Sequence, residues 1–484
     1  MGTGSIVFRL KQPFQGVALA DALADAIVCS LFRIKREQGF GIMKHNRLVF
    51  FISKARQIET MKTVKTMKKL AQAALSLACL AGCAAGLNAQ KNPALAPTPP
   101  MGWNSWNWFG KAAIDEPTAR EVIDAMVSTG LRDAGYTYVV IDGGWRDTKL
   151  GPNGELRAHP DKFPNGMKSL ADYAHSKGLK FGLHTVPGRF DCGGDPVGGL
   201  GNEKVQLAQF VEWGLDFIKL DRCKLSAGKK GEGEQWTEDG TEKIYRQWSE
   251  MLNHCGRDIV LSISAYKFRP WNPDVCNMSR TTTDIRCRSN SGAAEFEKGE
   301  NQGKRGRNFS SIMDIAEINN KAASSAGNGY WNDSEMMVTG DPALTREEQQ
   351  AHFALWCVMS SPLMLGNDPR HMTEQERAII LNRRAIAVDQ DPSGQGKRIW
   401  QDKAGGTEIW MKKLADGRCA LLLLNRKKGE ATLTADFAKL GLPAELHLYD
   451  IYATQDKGTV KNSYTAEFSG RGCAFLLASP ESEK

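Results

Sequence analysis

Four short apolar runs constrain this chain more than any other feature. They are YTYVVID (136–142), LKFGLHT (179–185), LDFIKLD (215–221) and DIVLSIS (258–264), rich in Val, Ile, Leu and Phe. Near-continuous apolar character marks strands covered on both faces, as in a parallel sheet. Between and around them lie the amphipathic segments PTAREVIDAMVSTGLRDAG, MKSLADYAHSKG, EKVQLAQFVEWG and EKIYRQWSEMLNHCG, each ending in Gly. A glycine just past a helix accepts the left-handed backbone that stops it. Strand-then-helix repeats of this kind fold into an open doubly wound sheet or a closed (β/α)8 barrel. About 300 residues holding roughly eight repeats fit the barrel, which is expected over 99–395.

After Gly396 the pattern changes. EIWMKKL, CALLLLN, ATLTADF, ELHLYDIY, YTAEFSG and CAFLLAS are short runs parted by polar turns, and they read as an all-β sandwich over 396–484. The sandwich carries no evident acid/base cluster and is expected to be structural. The class is therefore α/β, a (β/α)8 TIM barrel followed by a C-terminal β-sandwich.

The chain has 484 residues and a formal charge of +8, which on its face invites a nucleic-acid partner. The position of the charge removes that reading. Residues 1–70 hold 13 Lys/Arg and 4 Asp/Glu, a balance of 13 − 4 = +9, leaving 8 − 9 = −1 for the rest. The excess sits in a segment that reads as a targeting signal over 61–89. Lys62, Lys65, Lys68 and Lys69 precede an apolar run at Leu70–Ala81, too short to span a bilayer, and small residues end it. Leu80-Ala81-Gly82-Cys83 resembles a lipobox, which makes Cys83 a candidate for lipidation and membrane attachment; Leu87-Asn88-Ala89 resembles an ordinary cleavage site. Export to the periplasm, the outer membrane or the medium is expected by either route. A signal normally starts a chain, so residues 1–60 are expected to be a mis-assigned extension, with a Pro-rich linker at 90–98.

Of the 11 cysteines, Cys29, Cys79 and Cys83 precede the linker, and export would put the other eight where disulfides are permitted. No Cys/His spacing reads as a metal site, and no metal or cofactor is expected.

Several of the apolar runs end in polar groups. Asp142, His184, Lys219 and Asp221 close three of them, Arg280 and Asp284 lie in SRTTTDI, and Asn332, Asp333 and Glu335 lie in GYWNDSEMM. The C-terminal ends of barrel strands meet at one face, so these side chains are expected to converge. A single Asp after a strand is most often a helix N-cap. A convergent set of carboxylates, Lys, Arg and Trp reads instead as a sugar site. Glycoside cleavage needs two carboxyl groups, one to attack carbon or activate water and one to protonate the leaving oxygen. Asp221 suits the first role, because Lys219 two residues earlier shares its face and favours the ionised form. Asp284 suits the second.

The blocks PPMGWNSW (99–106), YVVIDGGW (138–145), WGLDFIKLDRCK (213–224), RTTTDI (280–285), WNDSEMM (331–337) and HFALWCVMSSPLMLGNDPR (352–370) stand in the order of one known family. Over residues 97–480 the chain resembles the α-galactosidase (melibiase) family, glycoside hydrolase family 27. The resemblance implies a barrel with a C-terminal sandwich and retention of anomeric configuration. It implies Asp221 as nucleophile, Asp284 as acid/base, and sugar contacts from Trp103 (a pocket wall), Asp142, Lys219 and Arg280; Glu335 is a further substrate-binding candidate. It also implies a disulfide between Cys192 and Cys223.

The chain departs from the family pattern where the sugar is read. Gly143 stands where a second Asp is usual, Ser264-Ala265-Tyr266 where Cys-Glu-Trp is, Asp333-Ser334-Glu335 where Asp-Pro-Asp is, and His184 where a Tyr is. Losing a hydrogen bond to a hydroxyl costs about 1–3 kcal/mol, enough to redirect specificity. An α-galactosidase is expected, with an α-N-acetylgalactosaminide, β-L-arabinopyranoside or α-glucoside as alternative substrates. Lys224 or Arg269 are candidates to replace the lost contacts. A non-catalytic carbohydrate-binding protein is the remote alternative, and a nicotinamide enzyme lacks its GxGxxG turn.

Overall fold

A computed structural model describes residues 92–227, 232–300 and 309–480. The targeting segment at 61–89, Cys83 and the extension at 1–60 lie outside the described residues. No helix among the described residues is long and apolar enough to cross a membrane.

Eight parallel strands form the first layer: β1 Met101–Asn104, β2 Tyr138–Ile141, β3 Lys180–Thr185, β4 Phe217–Asp221, β5 Val260–Ser264, β6 Met278–Arg280, β7 Trp331–Asp333 and β8 Leu363–Leu365. They run in the order β7-β6-β5-β4-β3-β2-β1-β8. Just past β7, Met337 bridges in parallel to Leu365, donating to Met364 O and accepting from Gly366 N, which closes the curled sheet into a barrel.

Helices cover the outside: α1 Trp106–Ala113, α2 Glu116–Ser128, α3 Gly166–Ser176, α4 Glu203–Glu212, α5 Glu238–Asn253, α6 Asn272–Val275, α7 Ile312–Asn320, α8 Arg346–Val358, α9 Glu374–Ile380 and α10 Arg383–Asp389. The four glycines that end the amphipathic segments, Gly135, Gly178, Gly214 and Gly256, all have positive φ.

The parallel sheet sorts its side chains by parity. Val139, Ile141, Phe181, Leu183, Ile218 and Leu220 face the helices in one large core. Tyr138, Val140, Phe217, Val260, Met278 and Met364 point inward and fill the barrel.

The C-terminal unit is antiparallel: β9 Lys397–Asp402, β10 Thr407–Lys413, β11 Cys419–Asn425, β12 Ala431–Asp436, β13 Glu445–Asp450, β14 Gln455–Lys461, β15 Ser463–Phe468 and β16 Gly472–Ser479. Six of them form a sheet in the order β14-β13-β16-β11-β10-β9, and β12 pairs with β15 as a second sheet. The CALLLLN run is continuous for a reason. Leu421 and Leu423 fill the sandwich core, while Leu422 and Leu424 join the barrel's core on the other face. Lys412 of β10 pins the seam, donating to Ser360 Oγ at 2.7 Å and to Val388 O at 2.6 Å.

Candidate active site

Asp221 is the last residue of β4, and parity directs it with Lys219 into the barrel mouth. Register supplies its neighbours. His184 pairs with Lys219 across β3 and β4, and Asp221 pairs with Ser264 across β4 and β5. His184 Nε2 lies 3.5 Å from Asp221 Oδ2, and the Tyr266 hydroxyl donates to Asp221 Oδ1 at 2.8 Å. Arg146 NH2 lies 3.4 Å from His184 Nδ1. A guanidinium only donates, so Nδ1 accepts and the ring proton sits on Nε2, facing Asp221. Burial works to raise the Asp221 carboxyl, but the hydrogen bond from His184, the Lys219 charge and the hydrogen bond from Tyr266 hold it below its ordinary value.

Asp142, just past β2, is equally committed. Its Oδ2 accepts from Lys219 Nζ at 2.6 Å and from Asn104 Nδ2 at 2.9 Å, and its Oδ1 accepts from Gly143 N at 2.8 Å. Burial opposes both charges of this pair. The pair's mutual attraction outweighs it, so Asp142 is held far below and Lys219 well above their ordinary values.

On the other side, Arg280 at the end of β6 bridges two carboxylates. Its NH1 donates to Glu335 Oε1 at 2.6 Å and its NH2 to Asp284 Oδ1 at 3.3 Å. Glu335 is buried and its Oε2 accepts from Met336 N, so both its oxygens are already engaged within the protein. Burial pushes Glu335 up to about 7, with the Asp284 and Asp333 charges adding to it and Arg280 and Lys219 opposing.

Trp103, expected as a pocket wall, does not face the mouth. Asn104 faces the mouth through Asp142, so its neighbour on the strand faces the helices. Trp103 is fully buried there, packed edge-on against Phe109 with its Nε1 donating to Asn367 O. The aromatic at the mouth is the half-buried Trp106, three residues later in the same block. A Cβ added at Gly143 meets Trp106 Cζ3 at 3.0 Å.

Cys192 and Cys223 are joined as a disulfide, which ties the loop after β3 to the residue two beyond Asp221. His184, Asp221 and Cys223 have ligand atoms within 4.8 Å of one another. The Cys223 sulfur is committed to its disulfide, so two donors remain, short of the three a catalytic zinc takes.

Residues 98–391 match the family model described as alpha galactosidase A, and residues 404–478 match its C-terminal beta sandwich domain. Alpha-galactosidase 2 of Arabidopsis thaliana is 34% identical over 388 residues, covering 79% of this chain and 89% of the relative. Alpha-galactosidase A of Cellvibrio japonicus is 35% identical over 389 residues, 78% of this chain and 89% of the relative. The chain belongs to the α-galactosidase family. It is a glycoside hydrolase, and the crystal structure of alpha-galactosidase I from Mortierella vinacea superposes with a TM-score of 0.72 at 30% identity, covering 80% of this chain and 98% of that one.

Within that family the departures acquire a physical setting. The space beside Gly143 belongs to the Trp106 ring. Ala265 is buried and accepts from Arg269 NH1 at 3.0 Å. Arg269 also donates to Glu238 Oε2 at 2.7 Å, so it braces the loop after β5 and offers no replacement contact to a sugar. His184 and Tyr266, visible in the sequence only as odd residues, are the two groups that grip Asp221.

Proposed function

We propose that the protein removes terminal α-D-galactose from oligo- or polysaccharides by double displacement, with Asp221 as nucleophile and Asp284 as acid/base. One contrast carries this reading. The Asp221 side chain is 13% exposed and held ionised, whereas that of Asp284 is 42% exposed. A nucleophile gains from fixed partners and little water, and an acid/base must exchange protons with a leaving group and then with water. Asp221 attacks the anomeric carbon while Asp284 gives its proton to the departing oxygen. Asp284 then takes a proton from water, which releases the sugar with its configuration retained. Lys219, Asp142 and Arg280 line the floor, and we assign them to the sugar's hydroxyls. Glu335 acts on them through Arg280.

Proton NMR of 4-nitrophenyl α-galactoside hydrolysis tests the reading: α-galactose is expected as the first product, and β-galactose first would overturn double displacement. The Trp106 ring beside Gly143 favours a second substrate reading, the same mechanism on a differently substituted sugar. A panel of 4-nitrophenyl α-galactoside, α-N-acetylgalactosaminide, α-glucoside and β-L-arabinopyranoside ranks them by kcat/KM. We also infer export, on the Lys-rich, apolar, small-residue order of 61–89 and on the Cys192–Cys223 disulfide.

A further inference from the structure

The two oxygens of Asp221 are held unequally. Tyr266 OH is 2.8 Å from Oδ1, a full hydrogen bond, while His184 Nε2 is 3.5 Å from Oδ2. A strong charge-assisted bond is about 2.7–2.9 Å, so Oδ2 keeps the freer lone pairs. Tyr266 also sits in left-handed backbone, φ +62, two residues past the end of β5. An aromatic residue rarely adopts that conformation, and where one does, the surroundings hold it for a reason that is often the site's mechanism.

We propose that Tyr266 fixes Asp221 by Oδ1 so that Oδ2 attacks, and that it chiefly accelerates the second half of the reaction, the release of the sugar from Asp221. The inference rests on Asp221 being the nucleophile. In the first step the Oδ2–C1 bond forms and the glycosidic C1–O bond breaks, its electron pair going to the leaving oxygen, which takes the Asp284 proton. Oδ1 then becomes the carbonyl oxygen of a neutral ester. In the second step water attacks C1, its proton goes to Asp284, and the C1–Oδ2 pair returns to the carboxylate.

The Tyr266 proton never leaves the phenol. Burial, then the Asp221 charge, hold that hydroxyl well above its ordinary pKa, so it remains a donor throughout. A donor bonds a carboxylate more strongly than an ester carbonyl. The bond therefore weakens as the ester forms and strengthens as it breaks, pulling the leaving carboxylate away. Tyr266 is a positioning residue: it works through Asp221 and need not touch the sugar.

The groups facing Asp221 are His184 from β3, Lys219 from β4, Tyr266 after β5, and at longer range Arg146 and the buried Tyr245 of α5. Removing the Tyr266 donor leaves the cations in place and takes away one of the interactions that keep Asp221 ionised.

The test is Tyr266→Phe in the full enzyme with 4-nitrophenyl α-galactoside. The expected result is a burst of 4-nitrophenol equal to the enzyme concentration, then kcat lower by roughly 10- to 100-fold. KM should fall with it, so that kcat/KM changes less, and the acid limb of kcat/KM should move up by about one pH unit. Enzyme trapped with 5-fluoro-α-D-galactosyl fluoride should reactivate more slowly than wild type. A fall in kcat/KM with no burst and normal reactivation overturns the proposal. Mapping the fluorosugar separates the two claims: label on a residue other than Asp221 removes the nucleophile reading, and label on Asp221 with unchanged reactivation removes only the Tyr266 role. His184→Asn alters the other oxygen, and it should slow the first step with no burst. A burst from that variant would also overturn the assignment of oxygens.

Discussion

The barrel mouth and the sandwich are built on opposite terms. In the mouth, buried charges are satisfied mainly by one another: Asp142 by Lys219, Glu335 by Arg280, and Asp221 by His184 and Tyr266. Two of the six non-glycine residues with positive φ among the described ones, Tyr266 and Glu335, stand there. In the sandwich, Leu421, Leu423, Leu446, Leu448 and Leu476 pack an apolar core, and the buried Glu408 and Lys412 of β10 are kept to the strand's other face. Desolvated charges are expensive and weakly stabilising even when paired, whereas buried leucine is a large stabilising term. The mouth is therefore where binding and chemistry draw on stability supplied elsewhere.

The sharpest way to break that contrast is to change each region and read both outputs. Asp221→Asn should lower kcat by roughly 1,000-fold or more while leaving the melting temperature within a few degrees of wild type, since the isosteric amide keeps the shape of the site. Steady-state kinetics and calorimetry on one preparation check it. Leu421→Ala, from a fully buried position, should do the reverse. Stability should fall by about 3–4 kcal/mol in denaturant titration, with kcat/KM of the folded enzyme unchanged.

A smaller effect assigns the acid limit of stability to the barrel. His352 of α8 is buried, and burial holds its pKa down at about 3. Its Nε2 accepts from Val338 N at 3.1 Å, beside the Met337 bridge that closes the barrel, so protonation breaks a bond at the seam. The folded pKa lies below the unfolded value near 6.5, so the unfolded chain binds more protons between them. Stability is complete above about pH 6.5 and is lost as pH falls towards 3. The loss should reach about 2 kcal/mol at pH 5. His352→Gln keeps an acceptor for Val338 and should flatten the pH dependence of unfolding in this window. An unchanged slope would place the acid sensitivity elsewhere.

The smallest effect refines the sugar site. Gly143→Ala forces Trp106 to yield by a few tenths of an ångström, and KM for the galactoside should rise about 3- to 10-fold at nearly constant kcat.

How much of this could be read from the chain depended on burial pattern and register. β2 to β5 were legible because both faces are covered. Three-residue strands such as β6, β7 and β8 carry too few side chains to display a period. β9 and β14 show no strand signal because they are the two edges of the six-stranded sheet, where polar residues such as those of QDKGTVK are favoured. The family blocks point to the first tryptophan of PPMGWNSW, but strand parity turns Trp103 to the helices, and the mouth is left to Trp106 at the start of α1, beside Gly143. Gly143, His184 and Tyr266 stood out as departures. That His184 and Tyr266 converge on the two oxygens of Asp221 follows from the pairing of β3, β4 and β5, which no local pattern encodes.

Azide rescue separates the roles of Asp221 and Asp284. With Asp221→Ala, azide should enter from the nucleophile's face and restore turnover of 4-nitrophenyl α-galactoside as β-galactosyl azide. With Asp284→Ala, the glycosyl-enzyme still forms and azide should yield α-galactosyl azide. If the two products were exchanged, or if Asp221→Ala gave α-galactosyl azide, Asp221 would not be the nucleophile.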